Sequence, residues 1–437
     1  MIAALCAGSG FGANPESNEE FVKRMKWFTD AKFGLFIHYG VYATLGGEWK
    51  GKSVPKYAEW IQCGGKITPQ EYIPLAANFK PVNLDAEAWV RRARDAGMKY
   101  MVITSKHHEG FCLWDSAYTE YDLGEATTFD RDILAELSAA CKKYGLKFGT
   151  YYSIIDWNHP SQRAEISTSQ PPMRDKAGYV KYMKAQLKEL IERYDPAVMW
   201  FDGDWAKWWT MEDGIDLYNY LRALNPDLII NNRVAKRKEF KKDFGTPEQQ
   251  TPGEALDHLW EACWTVNHSW GFKKSDTNWK KTDVLIQKQV DINTKGGNLL
   301  LNVGPKADGS WPDATVKQFR EMGEWNQAHA DAVYNAEYVK APVQSWGKLS
   351  QAKGSNDAEG ELFAYVFKQQ ENGKLEIKGV SFGEVEAFSY GGKSLPSKVT
   401  KNGVEIDLSS IRINPNATVL RLKYKGGMKN AAPMVEP

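Results

Sequence analysis

Short apolar runs alternate with amphipathic stretches from about residue 20 to residue 340. The runs are too apolar for strands with one side in solvent, so they predict strands buried on both faces, as in parallel sheets. They cover Phe33–Gly40, Tyr100–His107, Lys147–Ser153, Ala197–Gly203, Leu228–Arg233, the weaker Glu261–Val266, and Asn298–Gly304. Helical periodicity covers Leu84–Gly97, Arg131–Tyr144, Lys176–Tyr194, Met211–Ala223, Thr282–Thr294 and Ala314–His329. Seven or eight such alternations favour an α/β fold of the (β/α)8 barrel type over its main rival, a doubly wound sheet.

The pattern changes after Pro342. Short alternating strands, separated by Gly, Pro, Asn and Ser turns, predict a small all-β sandwich. They cover Leu362–Lys368, Lys374–Val380, Val385–Tyr390, Gly403–Leu408 and Thr418–Lys425. We therefore expect an N-terminal segment over residues 1–19, a (β/α)8-like barrel over residues 20–341, a C-terminal β-sandwich over residues 342–427 and a tail over residues 428–437.

Composition and charge narrow the class of protein. The 437 residues are 42% hydrophobic and 25% charged, with a net charge of +1, which argues against a nucleic-acid binder or a polybasic membrane anchor. The sequence contains no run of 18 apolar residues, so it predicts no membrane-spanning helix. The five cysteines form no CxxC pair, which argues against a zinc ribbon, and they are too few to hold the fold by disulfides. Residues 1–8 are short, apolar and small, like a secretory-signal remnant, so we expect an exported protein, whether periplasmic, extracellular or lysosomal-like.

Polar residues close several of the apolar runs, where barrel enzymes carry their reactive groups. They are His38, His107, His108, Glu109, Tyr151, Ser153, Asp202, Asp204, Arg233, Glu248 and Glu261, with Trp60, Trp114, Trp157, Trp200, Trp205 and Trp260 beside them. Carboxylates beside tryptophans and paired histidines are typical of a cleft that hydrolyses glycosides. Such enzymes need two carboxyl groups, one an ionised nucleophile and one an acid with a raised pKa.

Asp202 is the strongest candidate for the nucleophile, because it follows an apolar strand and precedes Gly203, which permits a sharp turn. The competing interpretation is a helix cap or a salt bridge at the barrel mouth, and Asp204 is a weaker rival. For the second carboxyl group, the residues alone leave Glu59, Glu248 and Glu261 nearly level.

The histidine pair suggests a metal-site hypothesis. Adjacent residues on a strand or helix point apart, and no HExxH motif follows, so His107 and His108 fit a hydrogen-bonding pair better than a metal site. We expect no metal and no organic cofactor.

Several motifs, in order along the chain, resemble family 29 of the glycoside hydrolases, the α-L-fucosidases. The resemblance covers about residues 20–425. It rests on Lys32–Gly40, Thr104–Phe111, Gly149–Ser153 with Asp156-Trp157, Trp200–Gly203, Thr246–Gln249, Trp260-Glu261 with Ser269–Gly271, and Gly297–Pro305. Each motif alone is weak, but together they are specific.

The resemblance implies a retaining exo-α-L-fucosidase that acts on fucosylated oligosaccharides or glycoconjugates through a covalent fucosyl-enzyme. It implies that Asp202 is the nucleophile and that Glu261, at the Trp-Glu position, is the acid/base. It also implies a fucose pocket, which is shaped by His38, Glu59, Trp60, His107, His108, Tyr151 and Trp200. The alternatives are an α-L-galactosidase on the same scaffold, a non-catalytic carbohydrate-binding protein and a metal-dependent barrel hydrolase.

Overall fold

The computed structural model describes residues 16–368, 372–426 and 429–430. The predicted signal-like start, at residues 1–8, and most of the predicted tail lie outside these residues. Across the part of the chain that is described, no helix is both long and apolar enough to cross a lipid bilayer.

Parallel strands form the first sheet, and they are buried along most of their length. They are β1 Phe33–Ile37, β2 Tyr100–Lys106, β3 Lys147–Ser153, β4 Val198–Asp202, β5 Ile229–Ile230, β6 Glu261–Thr265 and β7 Asn298–Val303. Their order in the sheet is β5-β4-β3-β2-β1-β7-β6. The first and last of these strands, β1 and β7, pair with each other, and the two edge strands, β5 and β6, are consecutive in the chain, as expected for a barrel that is open between β5 and β6.

Residues 244–249 close this sheet into a barrel. Phe244 forms a parallel bridge with Asn231 beyond β5, while Gly245 and Glu248 form parallel bridges with Trp260 and Cys263 along β6. These residues occupy the eighth strand position, so the architecture is a (β/α)8-like barrel. We refer to residues 244–249 as the bridge segment.

Long helices accompany the strands. They are α1 Asn18–Ala31, α2 Ala86–Asp95, α3 Ile133–Tyr144, α4 Lys176–Tyr194, α5 Met211–Leu224, α6 Thr282–Asn293 and α7 Asp313–Ala328. Local sequence defines several of their starts, because Asp85, Asp132 and Asp175 accept a backbone N–H in the first turn of α2, α3 and α4. Helices α2–α7 pack around the sheet, and residues 231–260, all described, connect β5 to β6 without a long helix.

Helix α1 covers the end of the barrel where the strands begin. The Phe28 ring lies 4.6 Å from the Phe244 ring, and the Asn298 side chain donates a 2.7 Å hydrogen bond to the Phe28 carbonyl. Arg24 forms a buried ion pair with Asp243 at 2.8 Å. The opposite end, where the strands finish, is therefore the end left for a ligand.

The long connection from β1 to α2 builds part of that opposite end. It contains a hairpin of Glu48–Trp49 and Lys52–Ser53 and a series of short helical turns. The turns are Tyr42–Leu45, Ala58–Trp60, Ile61–Gly64, Pro69–Tyr72 and Ile73–Asn78; two further short helices are Asn232–Val234 and Ala330–Tyr334.

The C-terminal region is antiparallel. Its strands are β8 Ala336–Glu337, β9 Gly347–Ala352, β10 Glu359–Val366, β11 Lys374–Lys378, β12 Val380–Ser381, β13 Glu384–Ser389, β14 Ser394–Leu395, β15 Ser397–Thr400, β16 Gly403–Asp407, β17 Thr418–Lys425 and β18 Lys429–Asn430. One sheet has the order β8-β9-β10-β17-β13-β14, and β11-β16-β15 forms a second. A separate apolar core lies between them, as in a β-sandwich. Trp325 on α7 donates a 3.0 Å hydrogen bond to the Ala417 carbonyl, which joins the sandwich to the side of the barrel.

Candidate active site

A cavity of about 400 Å³ opens at the end of the barrel where the strands finish. It is large enough for one sugar ring, and it combines aromatic walls with charged groups, as carbohydrate sites do. The lining residues are Phe36, His38, Tyr57, Glu59, Trp60, His107, Tyr151, Trp200, Asp202, Trp205, Arg233, Arg237, Glu248, Cys263 and Trp270.

Asp202 ends β4 and is held by two arginines. Its Oδ1 accepts hydrogen bonds from Arg233 at 2.9 Å and from Arg237 at 3.1 Å, and its Oδ2 accepts one from the Tyr151 hydroxyl at 3.3 Å. Burial opposes ionisation of this carboxyl, but Arg233 and Arg237 outweigh it and lower the pKa of Asp202 to about 2. Asp202 is therefore an ionised carboxylate at neutral pH, although it is almost fully buried.

Arg233 connects Asp202 to a second carboxylate. The same Nη1 atom that bonds Asp202 lies 3.0 Å from Glu248 Oε2. Asp202 Oδ1 and Glu248 Oε2 can therefore be no more than about 5.9 Å apart, an upper limit that is compatible with the roughly 5–5.5 Å typical of retaining glycosidases. The Glu248 side chain is 41% exposed, so it stands at the rim of the cavity.

The histidines at this end are neutral, and their hydrogen bonds define the tautomers of two of them. Asn302 donates its amide to the Trp270 carbonyl, so its oxygen faces His38 Nδ1, at 2.7 Å, and that nitrogen carries the proton. Ser153 donates to the Ile155 carbonyl and accepts from His108 Nδ1. Burial lowers the pKa of His38 to about 3 and that of His108 to about 4. Each ring is thus left with an Nε2 lone pair that can accept a hydroxyl proton.

His108 Nε2 lies 3.6 Å from Asp202 Oδ2 and has no hydrogen-bond partner among the described residues. His107, the next residue, has a similarly unpartnered Nδ1, and its ring lies nearly parallel to that of Tyr151 at 5.5 Å. Burial keeps the pKa of His107 well below the usual value. These buried nitrogens are the polar groups that a hydroxylated ligand would satisfy.

Glu59 is a buried carboxyl in the cavity wall. Its Oε2 accepts hydrogen bonds from the Gly271 backbone at 2.8 Å and from Ser269, while its Oε1 meets no donor in the described part of the chain. Burial raises its pKa to about 7, because the hydrogen bonds to the charged form only partly compensate. Trp60, the next residue, packs edge-on against His108 and roughly parallel to Trp205.

Glu261 is not in the cavity. It is the first residue of β6, whereas Cys263, two residues later on the same face of that strand, does line the cavity. Glu261 lies inside the barrel with no exposed surface, where it accepts hydrogen bonds from Tyr100 and Trp200. Burial raises its pKa to about 7. The structure therefore does not bring Glu261 and Asp202 together around one ligand.

Most of the predicted site residues do meet in this cavity: His38, Glu59, Trp60, His107, Tyr151, Trp200 and Asp202 line it, and His108 contacts Asp202. Sequence reasoning missed Arg237, because it stands in a run of charged residues that is typical of a solvated loop. Within the described ranges, no group of three His, Cys, Asp or Glu side chains could hold a metal ion.

Comparison with known proteins gives a consistent result. A family model described as Alpha-L-fucosidase matches residues 5–331. The plasma alpha-L-fucosidase of Homo sapiens is 32% identical over 425 residues, 89% of this chain and 86% of that protein. A covalent intermediate of the alpha-L-fucosidase from Bacteroides thetaiotaomicron, trapped with 2-fluoro-fucosyl fluoride, superposes with a TM-score of 0.83 at 29% identity, over 92% of this chain and 96% of that one. Isoenzyme 1 of Paenibacillus thiaminolyticus matches with a TM-score of 0.81 at 31% identity, over 93% and 100% of the two chains.

Proposed function

This chain belongs to the α-L-fucosidase family and is a retaining α-L-fucosidase, in which we propose that Asp202 is the nucleophile and Glu248 the general acid and base. The supporting observation is that one guanidinium, that of Arg233, contacts both carboxylates within a cavity of about 400 Å³. The substrate is a fucosylated glycan, and the enzyme releases its terminal fucose.

In the first step, Asp202 attacks the anomeric carbon of the fucoside. The bond to the leaving oxygen breaks as the bond to Asp202 forms, and Glu248 gives its proton to the leaving oxygen. Arg233 and Arg237 keep Asp202 ionised, so the nucleophile is ready at neutral pH. In the second step, Glu248 takes a proton from water, and the water oxygen attacks the anomeric carbon as the bond to Asp202 breaks. This releases fucose with its original configuration and regenerates the Asp202 carboxylate.

Glu248 fits the acid/base role better than the other two carboxyl groups. In a pocket that receives a terminal sugar, the glycosidic oxygen faces the entrance, where Glu248 is exposed. Glu59 lies deeper, with its free Oε1 suited to a sugar hydroxyl. Glu261 lies beneath the cavity and has no route to the leaving group. The role that the resemblance gave to Glu261 therefore moves, in this proposal, to Glu248.

The remaining lining residues bind the sugar. His38 and His108 accept hydroxyl protons through Nε2, and Glu59, neutral below pH about 7, donates one. The aromatic rings of Phe36, Trp200 and Trp270 lie together, with Phe36 5.0 Å from Trp200, and suit the methyl group of fucose better than the hydroxymethyl group of L-galactose. This favours fucose over the α-L-galactoside alternative.

The nucleophile is tested with 2-fluoro-fucosyl fluoride, which accumulates the covalent intermediate. After proteolysis, mass spectrometry should find the fluorofucosyl adduct on Asp202. Asp202→Gly should lose several orders of magnitude in kcat, and added azide should restore turnover with β-fucosyl azide as product. Asp227→Asn, an exposed aspartate remote from the cavity, is the matched control. An adduct on another carboxyl group contradicts the assignment.

The acid/base is tested by leaving-group dependence. Glu248→Ala should slow hydrolysis of fucosylated oligosaccharides far more than that of aryl fucosides with good leaving groups. Azide should then yield α-fucosyl azide, because it replaces water in the second step. Glu254→Gln, an exposed glutamate in the same loop, is the control. Equal losses on both substrates, or azide products from a Glu59 or Glu261 variant instead, would reject Glu248.

Export is also part of the proposal. It rests on the signal-like residues 1–8 and on relatives named as plasma enzymes. Fractionation of cells that express the full chain tests it, and activity confined to the cytosol would contradict it.

A further inference from the structure

We propose that Glu261 is a positioning residue that acts through Trp200, fixing the indole beneath the two reacting carboxylates. This inference deepens the proposed function and rests on it for its kinetic readout. It gives a role in the same reaction to a buried carboxyl group that the mechanism above does not use.

The geometry places Glu261 one layer below the cavity. Its Oε1 accepts a 3.0 Å hydrogen bond from Trp200 Nε1, and its Oε2 accepts one from the Tyr100 hydroxyl. The surrounding barrel interior is apolar and largely aromatic. A buried indole N–H without an acceptor is unfavourable, so the Glu261 carboxyl defines one orientation of the Trp200 ring.

Trp200 in turn supports the charged groups of the site. The Arg233 guanidinium lies over its ring, 4.6 Å from the centroid, and the Tyr151 ring is nearly parallel to it at 5.5 Å. Arg233 bonds Asp202 and Glu248, and Tyr151 bonds Asp202. A tilt of the indole would therefore displace the groups that hold the nucleophile and the acid.

Two other roles for Glu261 predict different behaviour. A general acid would have to reach the leaving oxygen, so its loss would depend on the leaving group. A purely structural carboxyl would change stability alone, or would change activity equally whether or not residue 200 is tryptophan. A positioning role predicts that the effect on activity needs the indole.

The test is a double-mutant cycle between Glu261 and Trp200 in the full-length enzyme. Glu261→Leu, which removes the acceptor, should lower kcat/KM by roughly 10–100-fold, equally for aryl fucosides and fucosylated oligosaccharides. Glu261→Gln keeps an acceptor oxygen, so it should retain activity within about threefold of the native enzyme. In the Trp200→Phe background, neither substitution at residue 261 should lower kcat/KM further.

Binding of L-fucose provides a readout that needs no turnover. The Kd for L-fucose should rise in Glu261→Leu. In the Trp200→Phe background, Glu261→Leu should leave that Kd unchanged, whichever carboxyl group is the nucleophile. If Glu261→Leu does not fold, Glu261→Met, which also removes the acceptor but keeps an unbranched side chain, replaces it in the cycle with the same expected results.

Three results would overturn the inference. The first is a loss confined to substrates with poor leaving groups, with α-fucosyl azide formed in the Glu261 variant. The second is an undiminished effect of Glu261→Leu in the Trp200→Phe background. The third is native kcat/KM and fucose affinity in a folded Glu261→Leu enzyme. A fluorofucosyl adduct on a residue other than Asp202 would instead contradict the proposed mechanism. The double-mutant cycle measured by L-fucose binding would still test the role of Glu261.

Discussion

The ionisation of Asp202 depends on two arginines, and removing the outer one should have a measurable consequence. Arg237 donates to Asp202 Oδ1 at 3.1 Å, and it is oriented by Asp204, whose carboxylate oxygens both lie 2.9 Å from Arg237 Nε. The substitution Arg237→Gln removes the charge and keeps much of the side-chain volume. Arg233, which is fully buried and contacts the same oxygen, stays in place.

The expected magnitude follows from the pKa of Asp202. Burial raises this pKa and the two arginines lower it, from the ordinary value of 3.8 to about 2. This lowering of the pKa corresponds to roughly 2 kcal/mol in favour of the carboxylate. Arg237 is 28% exposed and partly screened, so we assign it the smaller share. Its removal should raise the pKa of Asp202 by about one pH unit, back towards the ordinary value.

The measurement is the acidic limb of kcat/KM for an aryl α-L-fucoside, because that limb reports ionisation in the free enzyme. The nucleophile must be ionised, so activity falls as pH drops through its pKa, and the limb should move upward by about one pH unit in Arg237→Gln. Brief exposure, with activity rechecked at pH about 6, separates titration from acid unfolding. Lys238→Gln, an exposed neighbour, should leave the limb unmoved.

Replacing Arg237 alone would leave the Asp204 carboxylate without this cation. The double variant Arg237→Gln with Asp204→Asn removes that charge as well. Its limb should still move upward, because the charge that faces Asp202 is still missing. An acidic limb that stays at the native position in both variants, with kcat/KM lowered equally at every pH, would refute the electrostatic role of Arg237. It would leave that residue with a contact to substrate only.

Two further predictions concern the wall and the turn of the site. Burial raises the pKa of Glu59 to about 7, so this carboxyl donates a proton below that pH and ionises above it. The affinity for L-fucose should therefore decline above pH about 7. A pH profile of L-fucose binding should show this decline in the native enzyme but not in Glu59→Gln, and a decline that persists in the variant would contradict the role of Glu59. Gly203 follows Asp202 at φ +92°, and an added Cβ would lie 3.0 Å from the Ile155 backbone nitrogen. In chemical denaturation, Gly203→Ala should lower the free energy of unfolding by about 1–3 kcal/mol, and it should also reduce kcat/KM. The control is Gly145→Ala, at φ +76° with open space around the added Cβ, which should lower the free energy of unfolding by about 1 kcal/mol and leave kcat/KM unchanged.

Hydrophobic patterning predicted the barrel because seven of its eight strand positions are buried, apolar and, in most cases, followed by helices. The eighth position, the bridge segment, could not be recognised from the same pattern for a physical reason. It pairs through isolated bridges, one on the β5 side and two on the β6 side. It also contains Pro247 and follows a charged stretch, so it has neither the length nor the apolar pattern of a strand. Its pairing is set by its neighbours β5 and β6, and tertiary contacts of that kind leave little trace in local sequence.

That omission accounts for the uncertainty over the second carboxyl group. Reactive residues of a barrel lie where its strands finish. Glu261 begins β6, so the same rule assigns it to the opposite end, beside Tyr100 at the start of β2. Glu248 lies near the end of the bridge segment and is carried to the rim by the hydrogen bonds that flank it, from Cys263 to the Pro247 carbonyl at 3.1 Å and from Gln249 to the Cys263 carbonyl at 2.9 Å. Once the bridge segment is recognised as a strand position, the sequence separates the two glutamates: Glu248 lies at the barrel mouth, within reach of a leaving group, and Glu261 lies beneath the cavity.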